Sequence, residues 1–233
     1  TVLHIIARKN SQSEIIMYFI NKGVNAEASD KDGNTPLMLA SAGKDLENVK
    51  TLLSKTKNIN TVNSNGQSAL TMAVESGSDE IVAFLLNNKA DVNVSDKKGN
   101  NLAYYLLNSY RPARANEKDQ FAEKVTLLKN AGFDISKPQK DGNTLYHLAA
   151  AKNDMQIFDK LDFKNADINA LNGEKLTALQ KAALISKDDK MLKYLVAKGA
   201  SKNIKTEFDE TAYDLASENE ELKKNNVSLD FLK

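Results

Sequence analysis

Apolar residues recur along this chain in short stripes at helical spacing. In Asp79 to Asn87, Ile81, Val82, Leu85 and Leu86 fall at i, i+1, i+4 and i+5, one apolar face on a helix of about three turns. The runs EIIMYFINKG ending at Gly23, KVTLLKNAGFDI ending at Ile135 and MLKYLVAKGASKN ending at Asn203 follow the same plan. A stripe of this kind must be covered by a neighbour. Each run is preceded by a shorter segment rich in Ala and Leu, as in Leu37, Leu39 and Ala40. Small residues there let a second helix approach to about 8–10 Å. The pattern predicts helix, helix, loop, many times over.

The short segments are copies of one another. NTPLMLA (Asn34 to Ala40), NTLYHLAA (Asn143 to Ala150) and the opening TVLHIIA (Thr1 to Ala7) are the clearest. SALTMAV, NLAYYL, TALQKAA and TAYDLAS are weaker versions at Ser68, Asn101, Thr177 and Thr211. Units therefore start near 1, 35, 68, 101, 144, 177 and 211, with spacings of 33 or 34 residues and one of 43. The long interval places an insertion at about 108–120, between the two helices of the fourth unit. Connectors such as SDKDGNT and SDKKGNN carry Gly33, Gly66, Gly99 and Gly142 where a tight turn needs positive φ. Two residues after each glycine stands Thr, Ser or Asn, ready to cap the next helix.

Motif and period together resemble the ankyrin repeat family, whose units of about 33 residues begin T-P-L-H-x-A. The resemblance covers Thr1 to Leu232 and implies an all-α fold, an ankyrin-repeat solenoid of about seven helix-turn-helix units with β-hairpin-like fingers. It implies a single domain over 1–233, with 211–233 as a C-terminal capping unit closed by Leu222, Val227, Leu229, Phe231 and Leu232. The chain opens directly on a TPLH-like segment with no finger before it, so the resemblance implies a fragment truncated at its N-terminus. Lys175 and Asp209 replace the finger glycine in the last two fingers. A Cβ resists the left-handed conformation by about 1–2 kcal/mol, so a different turn is expected there.

Composition narrows the chemistry. The 233 residues include no cysteine, which removes disulfides, thiol catalysis and thiolate metal sites and leaves the compartment open. A net charge of +1 gives no global field for nucleic acid, and the longest apolar runs fall far short of a bilayer-spanning helix. His4 and His147 occupy the same motif position in distant units, which argues against a shared metal site or catalytic base. The resemblance assigns them hydrogen bonds that tie neighbouring fingers. Neither a P-loop nor a dinucleotide-binding glycine pattern is present. The reading is a non-enzymatic monomer, without cofactor or metal, that binds an unidentified protein or peptide.

The candidate contact residues follow from the repeat register, as exposed positions at finger tips and along the first helices. From the fingers these are Lys31, Asp32, Asn34, Asn65, Gln67, Lys97, Lys98, Asn100, Lys140, Asp141 and Asn143. From the first helices they are Met38, Thr71, Glu75, Tyr104, Asn108 and Lys152. The insertion adds Tyr105, Tyr110, Arg111 and Arg114, since Tyr and Arg are enriched in binding hot spots. An elongated helix pair whose tyrosines pack on one another is the competing reading. Two other functions stay open: target recognition for a larger enzyme or exported effector, and a structural spacer or self-associating scaffold.

Overall fold

The structure, a computed structural model, describes residues 1–111, 118–161, 163 and 166–233. Among the described residues there are fourteen α-helices, no strand, and one isolated antiparallel bridge between Val62 and Ser68. They form two compact bodies, Thr1–Asp134 and Ile135–Lys233.

The first body stacks four helix pairs: α1 (Val2–Ala7) with α2 (Ser13–Asn21), α3 (Pro36–Ser41) with α4 (Leu46–Leu53), α5 (Ala69–Ser76) with α6 (Asp79–Asn87), and α7 (Leu102–Ser109) with α8 (Gln120–Asn130). The second holds α9 (Leu145–Lys152) with α10 (Gln156–Lys160), α11 (Ala178–Ile185) with α12 (Lys190–Ala197), and α13 (Ala212–Glu218) with α14 (Glu220–Lys224). A 3₁₀ turn at Asp230–Leu232 follows. In the last pair Leu222 and Leu232 are buried, while Val227, Leu229 and Phe231 are half-buried.

Five of the seven first helices start where a capping side chain satisfies an orphan amide. Thr35, Ser68, Thr177 and Thr211 accept from the amide three residues on, and Asn101 accepts from Ala103. Alanines then let neighbouring first helices close up, with Ala40, Ala73 and Ala103 in the first body at most 1% exposed. The stripes of the second helices supply the larger side chains: Ile16, Val49, Leu52, Ile81, Val82 and Leu85 are all fully buried. Burying a side chain of this size is worth about 1.5–3 kcal/mol, so the stability of each pair is borrowed from the next.

Six fingers connect successive pairs, at 30–34, 63–67, 96–100, 139–143, 172–176 and 206–210, and all share one hydrogen-bond pattern. The first amide donates to the fifth carbonyl and the fourth amide to the first carbonyl, as in Asp30 to Asn34 (2.9 Å) and Gly33 to Asp30 (3.0 Å). Lys175 and Asp209 obey the same pattern with φ of 60° and 64°. The different turn expected at those two fingers is therefore corrected: the left-handed residue is retained without glycine. The first residue's side chain holds the turn as it does in the glycine fingers: Asn172 Oδ1 accepts from the amides of Glu174 and Leu176, and Thr206 Oγ1 from those of Phe208 and Glu210. Gly173 is not the left-handed residue of its finger; it lies close to the preceding one, its amide donating to the Asp141 carbonyl at 2.7 Å.

Candidate functional site

Histidine, or glutamine in its place, ties three of the first helices to the chain at or beside the following finger. In α1, His4 Nδ1 meets the Thr1 hydroxyl at 2.8 Å while Nε2 meets the Asn34 carbonyl at 2.9 Å. In α9, His147 repeats this with the Thr144 hydroxyl (2.8 Å) and the Leu176 carbonyl (2.9 Å). Gln180 does the same in α11, accepting from the Thr177 amide and donating to the Ile204 carbonyl. This is the tying role the resemblance implied. Burial, the first cause, pulls the His147 imidazole below its ordinary value, as suits a neutral ring bridging a donor and an acceptor.

That third helical position corrects part of the contact list. Met38 is 1% and Thr71 2% exposed, because a side chain there folds back onto the capping residue: the Thr35 amide faces Met38 Sδ, and the Ser68 amide donates to Thr71 Oγ1. Asn34, also expected at the surface, is buried between fingers, its Oδ1 accepting from Asn63 Nδ2 at 2.8 Å. Tyr110 is buried edge-on against Phe121 at 5.0 Å. Tyr105 is 4% exposed. Arg111 is exposed, with Nη1 donating to the carbonyls of Asn108 and Tyr110. Arg114 lies outside the described residues.

What remains gathers in one place on the first body. A hollow of about 300 Å³ opens between the second and third fingers and the first helices below them. Its walls are Asn65, Gln67, Glu75, Lys97, Lys98, Asn100, Tyr104 and Asn108, named from the register, Tyr105, named with the insertion, and Asp96, named by neither. Asp96 organises the floor. Its Oδ1 accepts from the amides of Lys98 (2.9 Å) and Asn100 (2.8 Å), and its Oδ2 from Asn100 Nδ2 (2.8 Å) and the Tyr105 hydroxyl (2.6 Å). Burial alone would raise this carboxyl; the bonds from Tyr105, Asn100 and Lys98 outweigh it and hold it below the usual carboxylate range. Burial, then the hydrogen bond to Asp96 and its charge, push the Tyr105 hydroxyl well above its ordinary value, so it stays a donor. Tyr104 stands edge-on to Tyr105 at 5.3 Å and is half-buried.

The signal for Asp96 was the finger's own first position, where Asp30, Asn63 and Asn172 also accept from amides two and four residues on. Tyr105 stands where other units carry Ile5, Leu39, Met72 and Leu148; it reaches the finger by its length, as Lys181 does at the same site of α11, with Nζ 3.4 Å from Asn143 Oδ1 and 3.5 Å from Glu174 Oε2. With Asp96 saturated by four bonds, the charges left at the hollow are Glu75 and the exposed Lys97 and Lys98, which hold no ion pair among the described residues. The remaining candidates stand apart from this hollow. Lys31 and Asp32 are exposed on the first finger, and in the second body Lys140, Asp141 and Lys152 are exposed and Asn143 half-buried. Among the described residues no group of three or more His, Asp or Glu side chains converges in metal-binding geometry, and no helix is long and apolar enough to cross a membrane.

Stacked helix pairs, hairpin fingers and histidine ties together define a helical repeat protein. The profile for ankyrin repeats (3 copies) matches residues 3–96 and that for a single ankyrin repeat matches 141–173, together more than half of the sequence. The chain belongs to the ankyrin repeat family, whose domains are general, and generally non-catalytic, protein-protein interaction modules. It is 28% identical over 192 residues to the nuclear factor NF-kappa-B p105 subunit of Gallus gallus, covering 81% of this chain and 19% of that protein. It is 36% identical over 89 residues to the ankyrin repeat and KH domain-containing protein mask of Drosophila melanogaster, covering 37% and 2%. Ankyrin repeat protein B18 of vaccinia virus (strain Copenhagen) is 28% identical over 176 residues, covering 71% and 29%. The chain thus spans less than a third of the length of these curated relatives. The human ASB11 ankyrin repeat domain superposes with a TM-score of 0.76 at 19% identity, over 96% of this chain and 95% of that one, a likeness of fold.

Proposed function

We propose that this chain is a non-catalytic binding module that holds a partner protein on the face formed by finger tips and first helices, anchored at the hollow between the second and third fingers. One observation carries the reading: finger and helix residues converge there around a saturated carboxylate, leaving Lys97 and Lys98 exposed, without an ion pair among the described residues, beside amide side chains and the Tyr104 ring. The floor is ordered before anything binds, so little freedom is lost by the receptor on association. The chemistry that fits is an extended segment presenting an acidic side chain to the two lysines, with neighbouring polar groups meeting Asn65, Gln67 and Asn100.

The test is capture from the source cell by the immobilised chain, followed by mass spectrometry, beside the Lys97→Ala/Lys98→Ala and Tyr104→Ala variants. The captured partner should bind each variant roughly tenfold or more weakly, as for central anchors, with the melting temperature unchanged. A partner held equally by all three chains removes the hollow from the binding face. Recovery of nucleic acid or of the chain itself would favour a different activity.

A further inference from the structure

The side chain four residues after each capping residue faces the fingers, as Tyr105 shows in α7 and Lys181 in α11 by the finger groups they reach. In the first body that site carries Ile5, Leu39 and Met72 before Tyr105 is reached. Ile5 is 64% exposed, and Leu39 and Met72 are half-buried. Three successive first helices therefore present one apolar row to the finger side. The second body has no such row, because Lys181 interrupts Leu148 and Leu215, and Leu215 is buried. A single exposed apolar side chain needs no explanation in a folded protein, and Phe208, alone on the tip of the sixth finger, is one. A row at fixed spacing is different.

The row runs into the hollow. Glu75, one turn beyond Met72 on α5, and Tyr105 at the row's end both line it, and Lys97 and Lys98 stand on its finger wall. Neighbouring first helices, with Ala40, Ala73 and Ala103 buried between them, pack at about 8–10 Å. The row thus offers apolar contacts at about that interval and ends on two ammonium groups. Few backbone conformations repeat on that scale. A β-strand returns a side chain to one face every second residue, about 6.6 Å. A polyproline II segment returns one every third residue, about 9.3 Å, which matches. An α-helix comes close at every seventh residue, about 10.5 Å, but it is about 10–12 Å across, too wide for a hollow of about 300 Å³.

We propose that Ile5, Leu39 and Met72, together with Lys97 and Lys98, dock a partner segment in the polyproline II conformation, with an apolar side chain at every third residue and a carboxylate three residues beyond the last. This rests on the reading of the hollow as the anchor and adds the pattern its occupant must carry. Each apolar side chain of the segment covers one member of the row, and the carboxylate meets the two ammonium groups. Charge complementarity fixes which end of the pattern lies in the hollow. A polyproline II backbone makes no internal hydrogen bonds, so its amides and carbonyls stay free for Asn65, Gln67 and Asn100 on the neighbouring fingers.

The probe is a fluorescein-labelled peptide, Leu-Ser-Gln-Leu-Ser-Gln-Leu-Ser-Gln-Glu, made in both chain directions. Two controls carry the leucines at every second residue, or at every seventh in an alanine-rich helix. Fluorescence anisotropy with the full chain should show the probe, in at least one direction, binding roughly tenfold more tightly than either control. Ile5→Ser should weaken it roughly tenfold and Ile5→Leu should not. Both variants should melt with the original chain, since Ile5 is exposed. Lys97→Ala/Lys98→Ala should weaken it by a similar factor. Equal binding of all three spacings, or no binding of the probe in either direction, overturns the proposal. Loss in the lysine variant alone removes the row and leaves the hollow as anchor, whereas loss in Ile5→Ser alone removes the anchor itself; either result also overturns it.

Discussion

The second finger and the fifth are built on the same turn but differ at its fourth position. Gly66 has φ of 82° and donates to the Asn63 carbonyl at 2.9 Å; Lys175 has φ of 60° and donates to the Asn172 carbonyl at 3.0 Å. What separates them lies in the next finger. Lys97 N donates to the Asn65 carbonyl at 2.8 Å, and a Cβ on Gly66 would stand 2.9 Å from that same Lys97 nitrogen. Gly33 and Gly142 are crowded in the same way, by Ser64 N at 2.7 Å and Gly173 N at 2.8 Å. After Lys175 the equivalent bond, from Glu207 N to the Glu174 carbonyl, is absent among the described residues. Glycine in these fingers therefore records how closely the next finger approaches. The left-handed backbone alone does not demand it.

The largest effect that would break this comparison is Gly66→Lys. A lysine there meets the backbone of Lys97 and Asp96 as well as the left-handed penalty, so the loss should reach about 3 kcal/mol or more, part conformational and part from the forfeited inter-finger bond. Thermal unfolding followed by circular dichroism should show a midpoint lower by about 6–12 °C. A loss no larger than about 1 kcal/mol, the cost of the left-handed residue by itself, would mean that the fingers part freely.

The same contrast explains what could and could not be read from the sequence. The first helices were legible because Thr, Ser or Asn sits two residues after the finger's fourth position, and only the backbone cap needs to form. Eight of the ten residues around the hollow were legible because a repeat register says which positions share an edge. Burial at Met38 and Thr71 was not, because the third helical position folds onto its own cap, and nothing in the residue type of a methionine or threonine announces that. Lys175 was misread because the sequence shows the residue at the turn and not the distance to the finger beyond it. Lys124 was hidden for a related reason: it is the counterpart of Ile81, yet a lysine in a helical run reads as solvated.

Lys124 sharpens the comparison by asking what a preceding pair imposes. Its ammonium is 4% exposed and satisfies Val74 O, one of the last carbonyls of α5, with the Asp79–Lys118 ion pair (2.5 Å) beside it. Burial pulls its value down to about 8, against partial opposition from Asp79. The folded state thus binds the proton less tightly than the unfolded chain. The cost is fully present below about pH 8 and is relieved as the pH rises toward the unfolded value near 10.5. Relative to Lys124→Met, the native chain should gain on the order of 2 kcal/mol between pH 7 and pH 10. Urea unfolding of the two chains at those pH values measures the difference; parallel curves would place the ammonium in water.

The smallest effect decides which way the causation runs. Lys175→Gly relieves a left-handed lysine, worth about 1–2 kcal/mol, but gives the unfolded chain a freer residue, costing about 0.5–1 kcal/mol. The balance should be a gain of about 0.5 kcal/mol, a rise of roughly 1–2 °C. Fingers five and six should stay apart, because their separation is set by the pairs beneath them, and the amide of Glu207 should exchange as fast as before. If that amide instead becomes protected, the Cβ of Lys175 was itself holding the fingers open, and glycine elsewhere in the array would be the cause of close approach and not its record.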